Sequence, residues 1–563
     1  MKKCTLFFRN QLVLSFALLL PLFIYSQDIL WEKSYGGKHA DYLMDAIPTN
    51  DYGFILAGSS LSKKTGNKSE DNVGDLDYWV WKMDENGELD WQKSFGGNGS
   101  DFLQSIKTTK DGGFILAGTS NSTNVDDGIA TRNDKQEACR GGDDFWIIKL
   151  DAKGNQEWQK TIGGMGQEKL QSIFQTKDGG YILGGSSSSP NQSFVGEASP
   201  EYGEKMSANF GNMDYWIVKI DDKGKIQWQK TFGGIYMDEL RSIEQSNDGG
   251  YIVGGYSNSP SSLGTTTALG VTNGNKIEDN KGIGDFWVLK LDNKGEITWQ
   301  KTIGGNQDDQ LYVVHQTYDG NFIVGGNSNS DSSNEKSKGN ESGTDFWVLK
   351  LGQEGEILWQ ETYNIGKVDV LTSLVENTDH SILLGGFAQS EIVGKGRDRF
   401  VPRDAKEIND YVAIKITEKG EEVWRQSVGS AGEDLLKKVV ETRDGGYLLA
   451  GTSISKVSKD RNSSIGSNDF WVVKLRDKNK PIKVKVVIEA LPNPATNFTN
   501  VIIGYDYESG TATLVDLAGH VLQQFEITSR TVPVDLSHYP NGIYVINIRT
   551  NKGSDGIKVI KGL

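Results

Sequence analysis

One phrase of residues recurs along this chain and constrains its fold more than any single position: a Trp-bearing run ending in Gly-Gly, an Asp-Gly-Gly turn, then Asp-aromatic-Trp. The clearest copies read WQKSFGG, DGGFILAG and DDFWIIKLD. The leading Trp stands at Trp31, Trp91, Trp158, Trp228, Trp299, Trp359 and Trp424, in steps, by subtraction, of 60, 67, 70, 71, 60 and 65 residues. Self-similarity at that period marks an array of one supersecondary unit, whose copies bury their apolar faces against one another.

The copy from Glu168 to Gly234 holds four short β-rich runs, LQSIFQT, YILGGSS, DYWIVKI and IQWQKTF, divided by turn residues. Four such runs predict a four-stranded antiparallel sheet. The separators Asp178-Gly179-Gly180 and Asp222-Lys223-Gly224 supply residues able to take the positive φ of tight hairpins. Regular repetition of such sheets predicts an all-β, seven-bladed β-propeller around a central channel. The first Trp run, ILWEKSYGG, has no partner runs before it, whereas the last copy ends after DFWVVKLRDKNK without a Trp run. Residues near Ile29 to Ser34 are therefore expected to complete the seventh blade, leaving fewer strand edges exposed. The tryptophans, and Leu43 with its six equivalents, read as blade core.

Lys2, Lys3 and Arg9 precede an apolar stretch from Leu12 to Tyr25, and small Ser26 precedes polar Gln27, so residues 1–26 read as a secretory signal peptide. Its apolar core is too short to span a bilayer, and no later stretch reaches about 20 apolar residues, so the mature chain is expected to have no transmembrane segment. Cys4 falls inside the signal. Cys139 then stands alone and reads as a spectator in a surface loop, with a reactive thiol as the alternative. A formal charge of −15 lacks the clustered basic footprint that nucleic acid requires.

The longest connections separate the second and third runs, for example Asn121 to Asp143 and Asn258 to Gly284. They are expected to share one face of the ring with the connections after Gly-Gly, and that face is the candidate binding surface. Each connection after Gly-Gly carries an acid: Asp41, Asp101, Glu168, Asp238, Asp309, Asp369 and Asp434. Hard cations such as Ca²⁺ take oxygen ligands of this kind; repetition in every blade also fits a turn or strand-start hydrogen bond. The Asp before each aromatic pair, Asp77 in the first copy, reads as a turn-closing side chain. The insertion with Asp126, Asp127, Asp134, Glu137, Asp143 and Asp144 reads as a solvated loop or a metal site. The five histidines show no metal-motif spacing, and no nucleophile elbow or phosphate-cradling loop is present. No cofactor is expected, and the chain is expected not to be an enzyme.

Three local likenesses refine the repeat. Thr176-Lys177-Asp178-Gly179-Gly180 resembles the Asp box of sialidase-type propellers without its downstream Trp, and KLDNKGEITWQKTIGG (290–305) resembles the tryptophan-docking repeat of quinoprotein dehydrogenases. From Trp31 to Asp477 the units resemble bacterial secreted β-propeller repeats. That likeness bears on architecture, not on activity.

After Lys480-Pro481 the repeats stop and a β-rich module without tryptophan begins. Its Leu491-Pro492-Asn493-Pro494-Ala495, VDLAGHVL (515–522), Pro540-Asn541-Gly542-Ile543-Tyr544 and terminal IKVIKGL resemble a type A sorting domain of the Bacteroidetes type IX secretion system. GIYVINIRT alternates with period two, as a small β-sandwich requires. The resemblance implies Pro492, Asn493, Pro494, Gly542 and Tyr544 as sorting-signal elements, the type IX machinery as a partner, and a secreted or outer-membrane surface location. The expected division is signal peptide 1–26, propeller 27–479, linker 480–486 and sorting β-sandwich 487–563. The expected function is a secreted or cell-surface binding propeller for adhesion, glycan or protein recognition. The alternatives are an extracellular polysaccharide-active enzyme and a structural part of the surface apparatus.

Overall fold

The computed structural model describes residues 27–562 except 124–133, 191–202, 208, 265–272, 341–342, 390–407 and 481–486. The expected signal peptide, most of the expected linker, and Asp126 and Asp127 lie outside the described residues. All the assigned elements are β-strands, 35 in number.

Residues 28–476 form seven four-stranded antiparallel sheets. Blade 1 runs Asp41–Pro48, Phe54–Ser60, Asp77–Met83, Leu89–Phe95, with the first strand at one sheet edge and the Trp strand at the other. The first strands of the seven blades, carrying residues from Met44 to Lys438, together line the central channel. Each has a bulge: in blade 1 Leu43 faces Gly58 and Asp45 faces Ala57, so Met44 has no partner. The bulge drives the inner strand's backbone toward the second strand; a Cβ on Gly58 would lie 2.0 Å from the Tyr42 carbonyl oxygen.

The hairpin turns, two in each of blades 1–6 and one in blade 7, need the left-handed backbone region. Gly112 and Gly179 of the Asp-Gly-Gly turns take φ of 80° and 91°, and Gly87 and Gly224 of the second turns take 79° and 84°. These turns form one face of the ring, the turn face. The described parts of the long insertions and the Gly-Gly connections form the other, the loop face.

Two classes of tryptophan hold the blades. Trp79, Trp146, Trp216, Trp287, Trp347 and Trp471 on the third strands are fully buried, each removal from water worth about 1.5–3 kcal/mol. Six of the outer-strand tryptophans, such as Trp91 and Trp228, are half-buried and cover the second turn of the following blade, where Gly154 and Gly295 leave room for the ring. Trp299 Nε1 donates to Gln353 O of that turn at 2.8 Å. Polar groups stitch the inner layer: the amides of Leu43, Leu103, Leu170 and Leu240 donate to Thr452, Ser59, Thr119 and Ser186 of the preceding blade at 2.8–3.0 Å.

Blade 7 contains Asp434–Glu441, Tyr447–Ser453 and Asp469–Arg476, and its outer strand is Asp28–Tyr35. Ile29 pairs with Leu475 and Tyr35 with Phe470. Trp471 Nε1 donates to Glu32 Oε2 at 2.7 Å, so the N-terminal segment closes the ring as expected.

The C-terminal module stacks a three-stranded sheet containing Phe498–Ile503 on a four-stranded sheet containing Gly542–Thr550. Val501, Leu514, Val534, Ile546 and Val559 fill the space between them. This sandwich sits on the turn face. Arg530 Nη1 lies 2.5 Å from Glu85 Oε2, with both side chains largely buried, and Thr531 Oγ1 donates to Asp51 Oδ2 at 2.7 Å. Arg443 pairs with Glu489 at 2.7 Å.

Candidate functional site

The seven acids after Gly-Gly do not converge on one point. Asp41, Asp101, Glu168, Asp238, Asp309, Asp369 and Asp434 each open the inner strand of their own blade, all fully buried. Asp41 accepts the Gly37 amide at 2.7 Å and hydroxyls of Ser60 and Ser62; Glu168 accepts the Gly164 amide at 2.8 Å and hydroxyls of Ser187 and Ser189. These are strand-start hydrogen bonds. Among the described residues no group of three or more His, Cys, Asp or Glu side chains is placed to hold a metal ion, which includes Asp134, Glu137, Asp143 and Asp144 of the acidic insertion.

The Asp before each aromatic pair adds a second buried carboxylate. Asp77 accepts the Val73 amide at 2.6 Å and Asp214 that of Phe210 at 2.5 Å. It packs against the Gly-Gly pair: a Cβ on Gly233 or Gly304 would lie 2.1 or 2.0 Å from the Oδ1 of Asp214 or Asp285. A Cβ on the second glycine, as at Gly37 or Gly305, would lie 2.3 Å from a serine Cβ. The Gly-Gly motif is thus the room left for two side chains.

Sequence reasoning missed the cation that answers these acids. Lys68, Lys135, Lys205, Lys276 and Lys336 come from the insertions and are almost completely buried. Each stands nine residues before the third-strand Asp, as Lys205 does before Asp214. That fixed spacing inside loops of different length was the available signal. Lys135, Lys205 and Lys336 sit 5.3, 5.7 and 5.3 Å from the ring centroids of Trp146, Trp216 and Trp347. In blade 7 Arg461 takes this place, 2.5 Å from Asp469. Burial pushes the carboxyls of Asp77, Asp214 and Asp285 up to about 7, and it lowers the ammoniums of Lys205, Lys276 and Lys336 to about 8. In these six blades the network anchors the root of the insertion to its blade; the insertion of blade 6 lies outside the described residues.

A second repeated pair was also missed. The Asp of each Asp-Gly-Gly turn meets a buried third-strand Lys: Asp111 with Lys149 at 2.7 Å, Asp178 with Lys219 at 3.0 Å, Asp248 with Lys290 at 2.7 Å. Burial alone would raise Asp248, but the Lys290 ammonium and the Ser246 hydroxyl hold it at about 2.

Cys139 is half-buried, and its thiol donates to Ser120 O at 2.9 Å. Burial pushes the thiol up, away from the thiolate a nucleophile needs. His315, near the turn-face end of the first strand of blade 5, has Nδ1 2.8 Å from Glu244. Burial would lower this imidazole, but Glu244 and Glu376 push it up to about 10, so it is a charged structural partner.

What distinguishes the blades lies at the loop-face mouth of the channel. The inner-strand bulge position there reads Met44, Gln104, Gln171, Arg241, Tyr312, Thr372 and Lys437, seven sites with six residue types. Beside it, where blades 7, 1 and 2 meet, a cavity of about 380 Å³ is walled by Tyr42, Leu76, Phe102, Leu435 and Ile454, with Lys437 shared between cavity and channel.

In the C-terminal module the implied sorting elements meet on the last strand, Ser554–Lys561. Asn493 Nδ2 donates to Lys558 O at 2.8 Å and its Oδ1 accepts the Ile560 amide at 2.9 Å. Thr499 Oγ1 donates to Pro492 O at 2.8 Å, and Pro494 lies beside Gly562. Gly542 begins the strand that pairs with Ser554–Lys561, and Tyr544 is buried with its hydroxyl on Pro540 O.

Comparison with known proteins adds two things. No curated protein sequence matches the chain. Solved structures do. Sqt1 from Chaetomium thermophilum is 12% identical over 78% of this chain and 86% of that one, with a TM-score of 0.37. The WD40 domain of Pan2 from Neurospora crassa is 10% identical over 68% and 91%, with a TM-score of 0.30. A mutant apocarotenoid oxygenase from Synechocystis is 11% identical over 80% and 95%, with a TM-score of 0.34. The expectation that the chain is not an enzyme is corrected by this match: apocarotenoid oxygenases stand among its structural matches. At that identity the likeness assigns no reaction. Residues 489–562 match the model of the secretion system C-terminal sorting domain. The chain is therefore a β-propeller protein whose C-terminal module belongs to the type IX sorting-domain family, which directs export to the cell surface or secretion.

Proposed function

We propose that the protein is a recognition module, displayed on the cell surface or released, that binds a glycan or protein ligand through the loop face of its propeller. The observation that carries this reading is the Arg530–Glu85 contact, which seats the sorting module on the turn face and leaves the loop face open. The insertions on that face differ in length while their Lys-anchored roots repeat, the division of labour expected of a rigid scaffold presenting variable loops. In this reading residues 1–26 take the chain across the inner membrane, 27–479 recognise the ligand, and the module after the 480–486 linker is the address read by the type IX machinery.

The test uses the mature full chain on a glycan array and on a panel of polysaccharide hydrolysis assays. Binding that disappears when the insertions after Ser120 and Ser257 are shortened supports the reading. Binding unaffected by shortening the insertions of every blade, or lost only when the turn face is altered, overturns it.

A further inference from the structure

The blades are near-copies, so positions where the copies diverge by location are informative. The residue after the buried acid is Tyr42, Phe102, Val370 and Leu435 in blades 1, 2, 6 and 7, but Lys169, Glu239 and Gln310 in blades 3, 4 and 5. Packing does not demand the difference, because these side chains leave the blade: Tyr42 and Phe102 are 39% and 44% exposed. Three of the four apolar ones wall the same 380 Å³ cavity, together with Ile454, itself 45% exposed. Burying such a cluster against a ligand recovers apolar area that water now covers.

At the inner end of that cavity stands Lys437. The other cations of the channel have anionic partners: Lys107 and Lys438 share Asp45 at 3.0 and 3.5 Å, and Arg241 holds Glu239 at 2.7 Å while its guanidinium lies 5.5 Å from the ring centroid of Tyr312. Lys437 has no ion-pair partner among the described residues. Burial, and then the Arg241 charge, lower its ammonium, so an incoming anion relieves an unfavourable environment. Met44 and Gln104 join it in lining both cavity and channel. A volume of about 380 Å³ is in the range of small-ligand sites, which pair an apolar lining with a few placed polar groups.

We propose that this slot between blades 7, 1 and 2 binds a small amphipathic monocarboxylate, its apolar body between Tyr42 and Phe102 and its carboxylate on the Lys437 ammonium. The proposal rests on the loop face being the recognition face, and it names one ligand class for that face.

The test is calorimetric titration of the mature full chain with decanoate, decan-1-ol and decyltrimethylammonium. Decanoate is expected to bind, with the alcohol and the cation each weaker by at least about tenfold. Lys437→Met is expected to remove the preference for the anion while retaining the alcohol's affinity, and Phe102→Ser to weaken all three. Lys169→Ala, at the equivalent of Phe102 in the next blade, serves as a folded control with unchanged binding. No decanoate binding, equal binding of all three probes, or an intact anion preference in Lys437→Met overturns the proposal. If decanoate fails while loop-dependent glycan binding persists, the ligand class is wrong and the recognition face stands; if both fail, the reading of the face falls too.

Discussion

The Asp319 carboxylate and the Lys350 ammonium meet at 2.6 Å, tying the first turn of blade 5 to its third strand. Asp319 is half-exposed and Lys350 is buried, so the pair is best described as a buried ammonium neutralised from the surface. Asp319→Ala removes that neutralisation and the Thr317 hydrogen bond. It is expected to cost about 1–3 kcal/mol, read as a lowered melting temperature. Lys350→Met removes the buried charge as well and is expected to cost less. A larger loss for Lys350→Met would contradict this assignment.

Buried acids that answer to a lysine make stability depend on pH in a definite direction. The Asp214 carboxyl is pushed by burial from its ordinary value of 3.8 up to about 7, so the folded chain holds a proton that the unfolded chain has released. Its stabilising contribution is full below about pH 4 and is lost as pH rises through about 7. Asp214→Asn is isosteric and uncharged. Its melting temperature relative to the parent chain is expected to be higher at pH 8 than at pH 5, and the reverse ordering would rule out the raised carboxyl.

The Gly-Gly pair can be probed by adding one methyl group. Gly304→Ala places a Cβ 2.0 Å from Asp285 Oδ1, an overlap expected to cost about 1–3 kcal/mol. Combining it with Asp285→Ala should give a double variant more stable than the sum of the two losses. Strict additivity in that cycle would mean that the glycine and the aspartate do not compete for space.

Removing residues 28–35 strips blade 7 of its outer strand and bares the edge of Asp469–Arg476. The shortened chain is expected to melt earlier and to self-associate on size-exclusion chromatography, since an unpaired edge recruits another strand. Glu32→Ala, which deletes the acceptor of Trp471 Nε1 and of the Asn462 amide but leaves the strand in place, should lower stability by about 1–2 kcal/mol and remain monomeric.

Arg530→Ala together with Thr531→Val removes the contacts to Glu85 and Asp51 that seat the sorting module. Trypsin is expected to cut the 480–486 segment of this variant faster than that of the parent chain, while the propeller melts at the same temperature. Equal cutting rates would show that these contacts do not hold the two parts together.

The architecture was legible because it depends on period and punctuation. Seven Trp runs, turn glycines and a missing last strand sufficed for the ring and for its closure by Asp28–Tyr35. The roles of the polar repeats were less legible, because a repeated Asp looks alike whether it binds an ion, caps a turn or meets a lysine. Only coordinates show that Asp41 faces Gly37 and two serines, and that Lys205 folds back from an insertion onto Trp216. The slot was the hardest part to read. Tyr42, Phe102 and Leu435 are far apart along the chain, and what joins them is the seam where the last blade meets the first.

That seam also dictates the order of events during biogenesis. The register joins Ile29 to Leu475, and bringing such distant residues together costs on the order of 5 kcal/mol in chain entropy, against very little for any hairpin within a blade. Hairpins can form as the polypeptide emerges, but the circle is latched only after its four-hundred-odd intervening residues have arrived. Until then the newly delivered chain is an open arc with a raw edge at each end, and the slot between its first and last sectors does not yet exist. The slot proposed above as a binding site is thereby a property of the closed ring alone, and a chain missing either end lacks it.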